Sequence, residues 1–194
     1  MKGPWQAKPV MTHDPFIRRG RRVAIRHPQP DDADELIVLH QSSRALHHPW
    51  VAPPRTPDQV ATYLERCRRD DTVCFLVCHL DDQSIIGAVN LSRIYYGHFQ
   101  SASMGYYLGA GHTGSGYMTE AIALIPDHAF DTLGLHRIEA NIQPANHASP
   151  AVVQRLGFTQ AGYSRHYLKI NDVWCDYTRW AMLAEDWSDL RPQQ

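Results

Sequence analysis

A chain of 194 residues, 43% hydrophobic and 20% charged, has the length and make-up of one globular domain that can bury a core. Its net charge of −1 gives no basic field for a nucleic-acid backbone, and no apolar run approaches the roughly 18 residues of a membrane span. The opening MKGPWQAKPVMTHDPF lacks the apolar core of a secretory leader, so the expected location is cytoplasmic, with no direct nucleic-acid or membrane partner.

Residues 1–17, with Pro4, Pro9 and Pro15, read as a loose arm. RRVAIRHP (21–28) reads as a first strand, and PDDADELIVLHQSSRAL (30–46) as a helix whose early acidic residues suit its dipole. The basic cluster Arg18, Arg19, Arg21 and Arg22 reads as solvated surface. A proline-rich loop carries Trp50, and Thr56 or Asp58 can cap a second helix, DQVATYLERCRRD (58–70). TVCFLVCHL (72–80), IIGAVNLSRIYY (85–96) and SASMGYYL (101–108) follow as strands joined by the polar turns DDQS and GHFQ, which predicts an antiparallel meander.

Next comes the helix YMTEAIALIPDHAFDTLG (117–134), kinked at Pro126 and ended by Gly134. HRIEANIQP (136–144) is a strand, HASPAVVQRLG (147–157) a short helix ending at Gly157, and FTQAGYSRHYLKI and DVWCDYTRWAML a closing strand pair turning at NDV. The four cysteines, Cys67, Cys74, Cys78 and Cys175, show no disulfide-framework spacing and read as reduced thiols. Cys74, Cys78 and His79 lie in a strand-like apolar run where cysteine acts as a small hydrophobe, so no metal is expected.

YYLGAGHTGSGYMTEA (106–121) holds two overlapping glycine patterns. Gly109, Gly111 and Gly114 spell the dinucleotide fingerprint, which would make the protein a nicotinamide-dependent oxidoreductase. That fingerprint belongs in an opening βαβ unit, yet here about a hundred residues of helices and antiparallel strands come first. Gly114 and Gly116 fit the alternative: bare backbone leading into a helix, with amides of residues 112–117 facing a bulky anion.

GYYLGAGHTGSGYMTEA, LGLHRIEANIQPANHAS and VVQRLGFTQAG occur in an order and spacing that resemble the GNAT acetyltransferase superfamily, and most closely its branch acetylating amino termini of ribosomal proteins (the RimJ/RimL type). The matching features are Gly114-Ser115-Gly116 followed by Tyr117-Met118-Thr119-Glu120-Ala121, then Pro144-Ala145-Asn146-His147-Ala148-Ser149, Leu156-Gly157-Phe158, and Trp50 after Pro49. The resemblance covers roughly residues 20–187 and is strongest from 103 to 183.

The resemblance implies an α+β fold: a single GNAT-like domain over residues 18–187, with a mostly antiparallel sheet splayed in the middle, helices on both faces and a tail at 188–194. It implies acetyl transfer from acetyl-CoA, as cosubstrate, to a primary amine, above all a protein or peptide amino terminus. A small-molecule amine and a non-catalytic acyl-CoA sensor are the alternatives. Tyr107, Leu108, His112, Thr113, Gly114, Ser115, Gly116, Tyr117, Met118 and Asn146 are the expected cofactor contacts. Ser149 is the expected catalytic acid for the leaving sulfur, and Trp50 lines the acceptor side. Asn146 and Ser149 serve equally well as helix-start residues. Related proteins pair through sheet edges, which allows a homodimer.

Two departures stand out. Gly111 replaces the family's Gln or Arg, and the branch's glutamate base falls near Leu168, where there is no carboxylate. Glu120 and Asp176 read first as structural. An α-amine with pKa of about 7.7–8.0 is roughly 10–20% neutral at pH 7, whereas a lysine amine at about 10.4 is neutral only about 0.04% of the time. A site without a carboxylate base therefore favours the α-amine.

Overall fold

A computed structural model describes residues 14–170 and 172–191. Most of the arm, Asn171 of the last turn and the end of the tail lie outside the described residues. Eight strands form one sheet in the order β1-β2-β3-β4-β5-β6-β8-β7. They are β1 (Arg18–Arg19), β2 (Val23–Arg26), β3 (Thr72–His79), β4 (Ile85–Tyr95), β5 (Ser101–Leu108), β6 (Arg137–Ile142), β7 (Thr159–Ile170) and β8 (Val173–Leu183). Every neighbouring pair is antiparallel except β5 and β6.

Strand side chains alternate between faces, so a strand covered on both sides must be apolar throughout. β3 shows this: Phe75 and Val77 join one core cluster, while Cys74, Leu76 and Cys78 join the other. The smaller cluster packs under α1 (Ala33–Ser42) and α3 (Pro57–Arg66) through Leu36, Val60 and Tyr63. The larger lies under α4 (Tyr117–Ala123), α5 (Ile125–Asp127), α6 (Ala148–Arg155) and α7 (Ala184–Leu190), with Met118, Ile122, Ile125, Val153 and Trp187 buried.

All four predicted helices come out shorter or divided, the last, read over 147–157, forming as Ala148–Arg155. The 30–46 helix becomes a 3₁₀ turn at Pro30–Asp32, then α1, then α2 (Arg44–His47) after a break at Ser43. Ser43 is buried, and its hydroxyl accepts the Ala110 N–H at 2.9 Å. The second helix begins at Pro57, with Thr56 as the cap accepting from the Gln59 N–H. Pro126 has no N–H to give, and the predicted long helix divides there into α4, α5 and a π-helical segment, His128–Thr132.

The sequence reading missed α7. It is held by Trp187, whose indole N–H donates to Asp127 at 2.7 Å. The reading of four reduced thiols is also corrected, because Cys67 and Cys74 are paired as a disulfide. Cys67 caps α3 and Cys74 lies near the start of β3, and packing that helix end on the strand brings their Cα atoms to 5.5 Å. Cys78 and Cys175 are free. Among the described residues no helix is long and apolar enough to cross a membrane.

Candidate active site

The site begins where strand pairing stops. β5 pairs with β6 from Ser101↔Arg137 to Met104↔Ala140 and no further, so residues 105–108 leave an open edge. The Gly109 N–H donates to Ile86 on β4, and the Tyr107 carbonyl oxygen lies against Gly87 of the same strand. Peptide groups alternate in direction along a strand, so those of Tyr106 and Leu108 face the gap. The Leu108 carbonyl is already taken by His47, whose Nε2–H donates to it at 2.8 Å.

A cavity of about 1030 Å³ lies on the α4 and α6 side of the gap. Trp50, Tyr107, Leu108, Thr113, Gly114, Ser115, Gly116, Met118, Asn146 and Ser149 all line it. His112 and Tyr117 do not. The Tyr117 ring lies under the Arg22 guanidinium at 4.8 Å, its hydroxyl is 3.2 Å from His79 Nε2, and the His112 ring sits edge-on to it. The peptide of Tyr107 turns to β4, and its buried phenol lies 3.1 Å from His40 Nε2.

The glycine loop is shaped for close approach. Gly114 and Gly116 have φ of +77° and +82°, a region that side chains disfavour. A Cβ built at Gly114 would meet nothing within 4 Å, so the space beside it is open. α4 starts at Tyr117, leaving its first N–H groups without intrahelical acceptors.

Arg22 holds this loop, and the reading of its basic cluster as plain surface missed it. Its guanidinium donates to the Ser115 carbonyl at 3.0 Å and to Glu120 at 3.0 Å, and it lines the cavity together with Arg155. Glu120 also accepts backbone N–H groups of Arg22 and Val23. Burial works against its charge, but these bonds prevail and hold it below the usual glutamate range. Glu120 lines the cavity too and offsets its partner Arg22, so Arg155 leaves the lining net positive, which with the open glycine backbone fits a polyanionic nucleotide arm.

A second cavity, of about 210 Å³, opens on the opposite face of the sheet. It shares Trp50, Val51, Tyr106, Asn146 and Ser149 with the larger one, so the two meet across the gap at these residues. Asn146 Oδ1 accepts the Ser149 N–H at 3.3 Å, which fixes the first turn of α6. Tyr106, which sequence reasoning did not single out, donates its hydroxyl to the Ser149 carbonyl at 3.2 Å. The Ser149 hydroxyl makes no hydrogen bond among the described residues. Leu168 lines the second cavity, and no carboxylate does. Asp176 accepts from the Tyr163 hydroxyl and from the His166 N–H at 2.8 Å, on the exposed hairpin.

Residues 22–159 match the profile described as Acetyltransferase (GNAT) domain. The chain is 36% identical over 178 residues to the [ribosomal protein uS5]-alanine N-acetyltransferase of Escherichia coli, covering 88% of this chain and 92% of that one. It is 34% identical over 177 residues to the Bacillus subtilis protein named "Probable N-acetyltransferase YjcK", covering 87% and 97%. Among solved structures, Mycobacterium smegmatis RimJ in complex with CoA-disulfide superposes with a TM-score of 0.79 at 26% identity, covering 89% of this chain and 85% of that one.

Proposed function

The chain belongs to the GNAT acetyltransferase family, and from that premise we propose that it transfers an acetyl group from acetyl-CoA to the α-amine of a protein or peptide amino terminus. Family membership sets aside the oxidoreductase and the non-catalytic sensor. The observation that carries the acceptor reading is the meeting of two cavities on opposite faces of the sheet at Tyr106, Asn146 and Ser149. One side is large and edged by Arg22 and Arg155, as a nucleotide cosubstrate requires. The other is small and holds no carboxylate, as an acceptor that is already partly neutral allows.

The roles divide accordingly. The loop Thr113–Gly116, with Arg22 and Arg155, holds the phosphates. The gap-facing peptide group of Tyr106 and the N–H of Leu108 give the cosubstrate's amide arm a strand edge to pair with. Acetyl-CoA supplies an activated acyl carbon at the gap. The neutral amine nitrogen attacks that carbon, its surplus proton passes to water, and the carbon–sulfur bond breaks. Ser149 gives its hydroxyl proton to the departing sulfur and recovers one from solvent. The similarity to the uS5-alanine N-acetyltransferase supports a protein acceptor, and with it we infer a cytoplasmic setting.

Acetylation of a mixed panel, with mass spectrometry locating the acetyl group, tests the reading. Peptides varied at the first residue, lysine amines and small polyamines would compete in one reaction. Modification confined to α-amines supports it; modification of lysine side chains or polyamines alone overturns it.

A further inference from the structure

The smaller cavity carries information about the acceptor, given the acetyl-transfer reading on which this inference rests. Its floor is Gly105, where an added Cβ would meet nothing within 4 Å. Asn141 is among its lining residues, and neither its side-chain oxygen nor its nitrogen has a hydrogen-bond partner although both atoms are shielded from solvent; the Nε of its cross-strand neighbour Arg179 is likewise buried and unpaired. A buried amide with both ends unpaired is costly, and the cost is recovered when a ligand supplies one donor and one acceptor. A peptide group supplies both. A polyamine supplies donors only and would leave the Asn141 nitrogen unpaired.

Arg93, an exposed residue, is the one charged residue of the lining. It has φ of +51°, at the irregularity between Ser92 and Tyr95 where pairing of β4 with β5 shifts. A non-glycine residue in that conformation is strained, and such residues concentrate at binding sites. Tyr177 lines the same cavity; burial raises its phenol above the ordinary tyrosine value, and the hydrogen bond from Gln143 and then the charge of Arg93 work in the opposite direction. Any second cation on an acceptor would meet Arg93 with no carboxylate of the lining to offset it.

We propose that Asn141 and Arg93 read the acceptor, so that this cavity takes the first peptide group of an amino terminus followed by a neutral or acidic residue and rejects polycationic amines. Asn141 binds the first peptide group of any sequence. Arg93 sets the preference among sequences by charge.

Equilibrium binding of acceptors to the CoA-loaded protein tests this without needing turnover. The probes are an Ala-initiated peptide with Glu at the second position, the same peptide with Lys there, and spermidine. The Glu peptide should bind at least fivefold more tightly than the Lys peptide, and spermidine more weakly than either. Arg93→Glu should reverse the peptide order. Asn141→Ser should weaken both peptides about equally, by fivefold or more, with their order kept. Gly105→Val, which has open space and a strand-compatible side chain, should abolish acceptor binding and leave the melting temperature and CoA affinity unchanged. Spermidine binding more tightly than both peptides, or an unchanged order in Arg93→Glu, would overturn the proposal. Peptides that bind in the expected order yet are never acetylated would overturn the functional reading and leave the acceptor reading standing.

Discussion

The Tyr106 hydroxyl donates to the Ser149 carbonyl oxygen at 3.2 Å and so ties the free edge of β5 to the first turn of α6 across the opening of the sheet. Tyr106 is largely buried, and burial pushes its phenol up to about 12, so it stays a donor throughout the working pH range. The bond fixes how far the strand edge stands from the Ser149 hydroxyl. Tyr106→Phe should therefore lower kcat/KM by about 2- to 13-fold, the span of a single net hydrogen bond of about 0.5–1.5 kcal/mol. The drop in melting temperature should be small because the ring stays in place. Steady-state kinetics and a thermal melt on one preparation check both, and unchanged kinetics would show that the bond does not position the site.

Gly114→Ala separates backbone geometry from steric filling. Nothing within 4 Å would meet the new methyl, so the penalty in the free protein is the left-handed φ alone, about 1–2 kcal/mol. In the proposed placement of the phosphates, the methyl nevertheless occupies space that they need. Acetyl-CoA affinity should fall at least tenfold in a protein that remains folded. Calorimetric titration beside a melting curve decides it, and an unchanged dissociation constant would remove this loop from the cosubstrate site.

Ser149→Ala keeps the helix start, because the backbone N–H that Asn146 accepts is retained. A loss confined to chemistry should appear as a lower kcat with acetyl-CoA binding nearly unchanged. General acid catalysis contributes about 10²–10⁴-fold at most, and a thiolate leaving group places the effect toward the low end. Single-turnover rates test this. A full rate in the variant would leave Ser149 with only its structural part.

Acid should weaken the fold through its buried histidines. Burial lowers His40, His47 and His128 below the ordinary histidine value, with Arg55 adding to the effect on His40 and His47 and His27 and Arg18 on His128. A group whose folded pKa is depressed binds protons more readily in the unfolded chain. Stability from these residues is therefore fully present above pH of about 6.5 and is lost as pH falls from there toward the folded values. His40 and His47 can each contribute at most about 1.4 kcal/mol per pH unit in that window. Melting temperature should fall between pH 7.5 and 5.5, and the fall should shrink in His40→Gln. A melting temperature that rises on acidification would contradict the sign.

Apolar runs and turn chemistry made most of the sheet legible: β5 spans Ser101–Leu108, the SASMGYYL segment read as a strand after the GHFQ turn, and Gly134 and Gly157 adopt the positive φ expected of helix ends. The glycine loop was legible because only Gly114 and Gly116 tolerate its backbone. Side chains whose role depends on distant partners were not. Arg22 meets Ser115 and Glu120 from more than ninety positions away, and in sequence it is one arginine among several. His47 and Tyr106 looked like ordinary loop and strand residues until the fold set them against the gap. α7 was lost for a similar reason, since its anchor, Trp187, finds its partner at Asp127. The Cys67–Cys74 pairing likewise comes from packing a helix end on a strand.

The four residue pairs from Ser101↔Arg137 to Met104↔Ala140 are the parallel ladder that joins the two antiparallel halves of the sheet. Every further pair along that seam would add ladder bonds and rigidity, and would remove the opening on which both cavities depend. Stabilising this protein at its seam and keeping it active are therefore opposed aims. Substitutions that gain stability freely belong elsewhere, in the helix caps and outer strands. A variant selected for heat resistance alone would be expected to zip residues 105–108 shut.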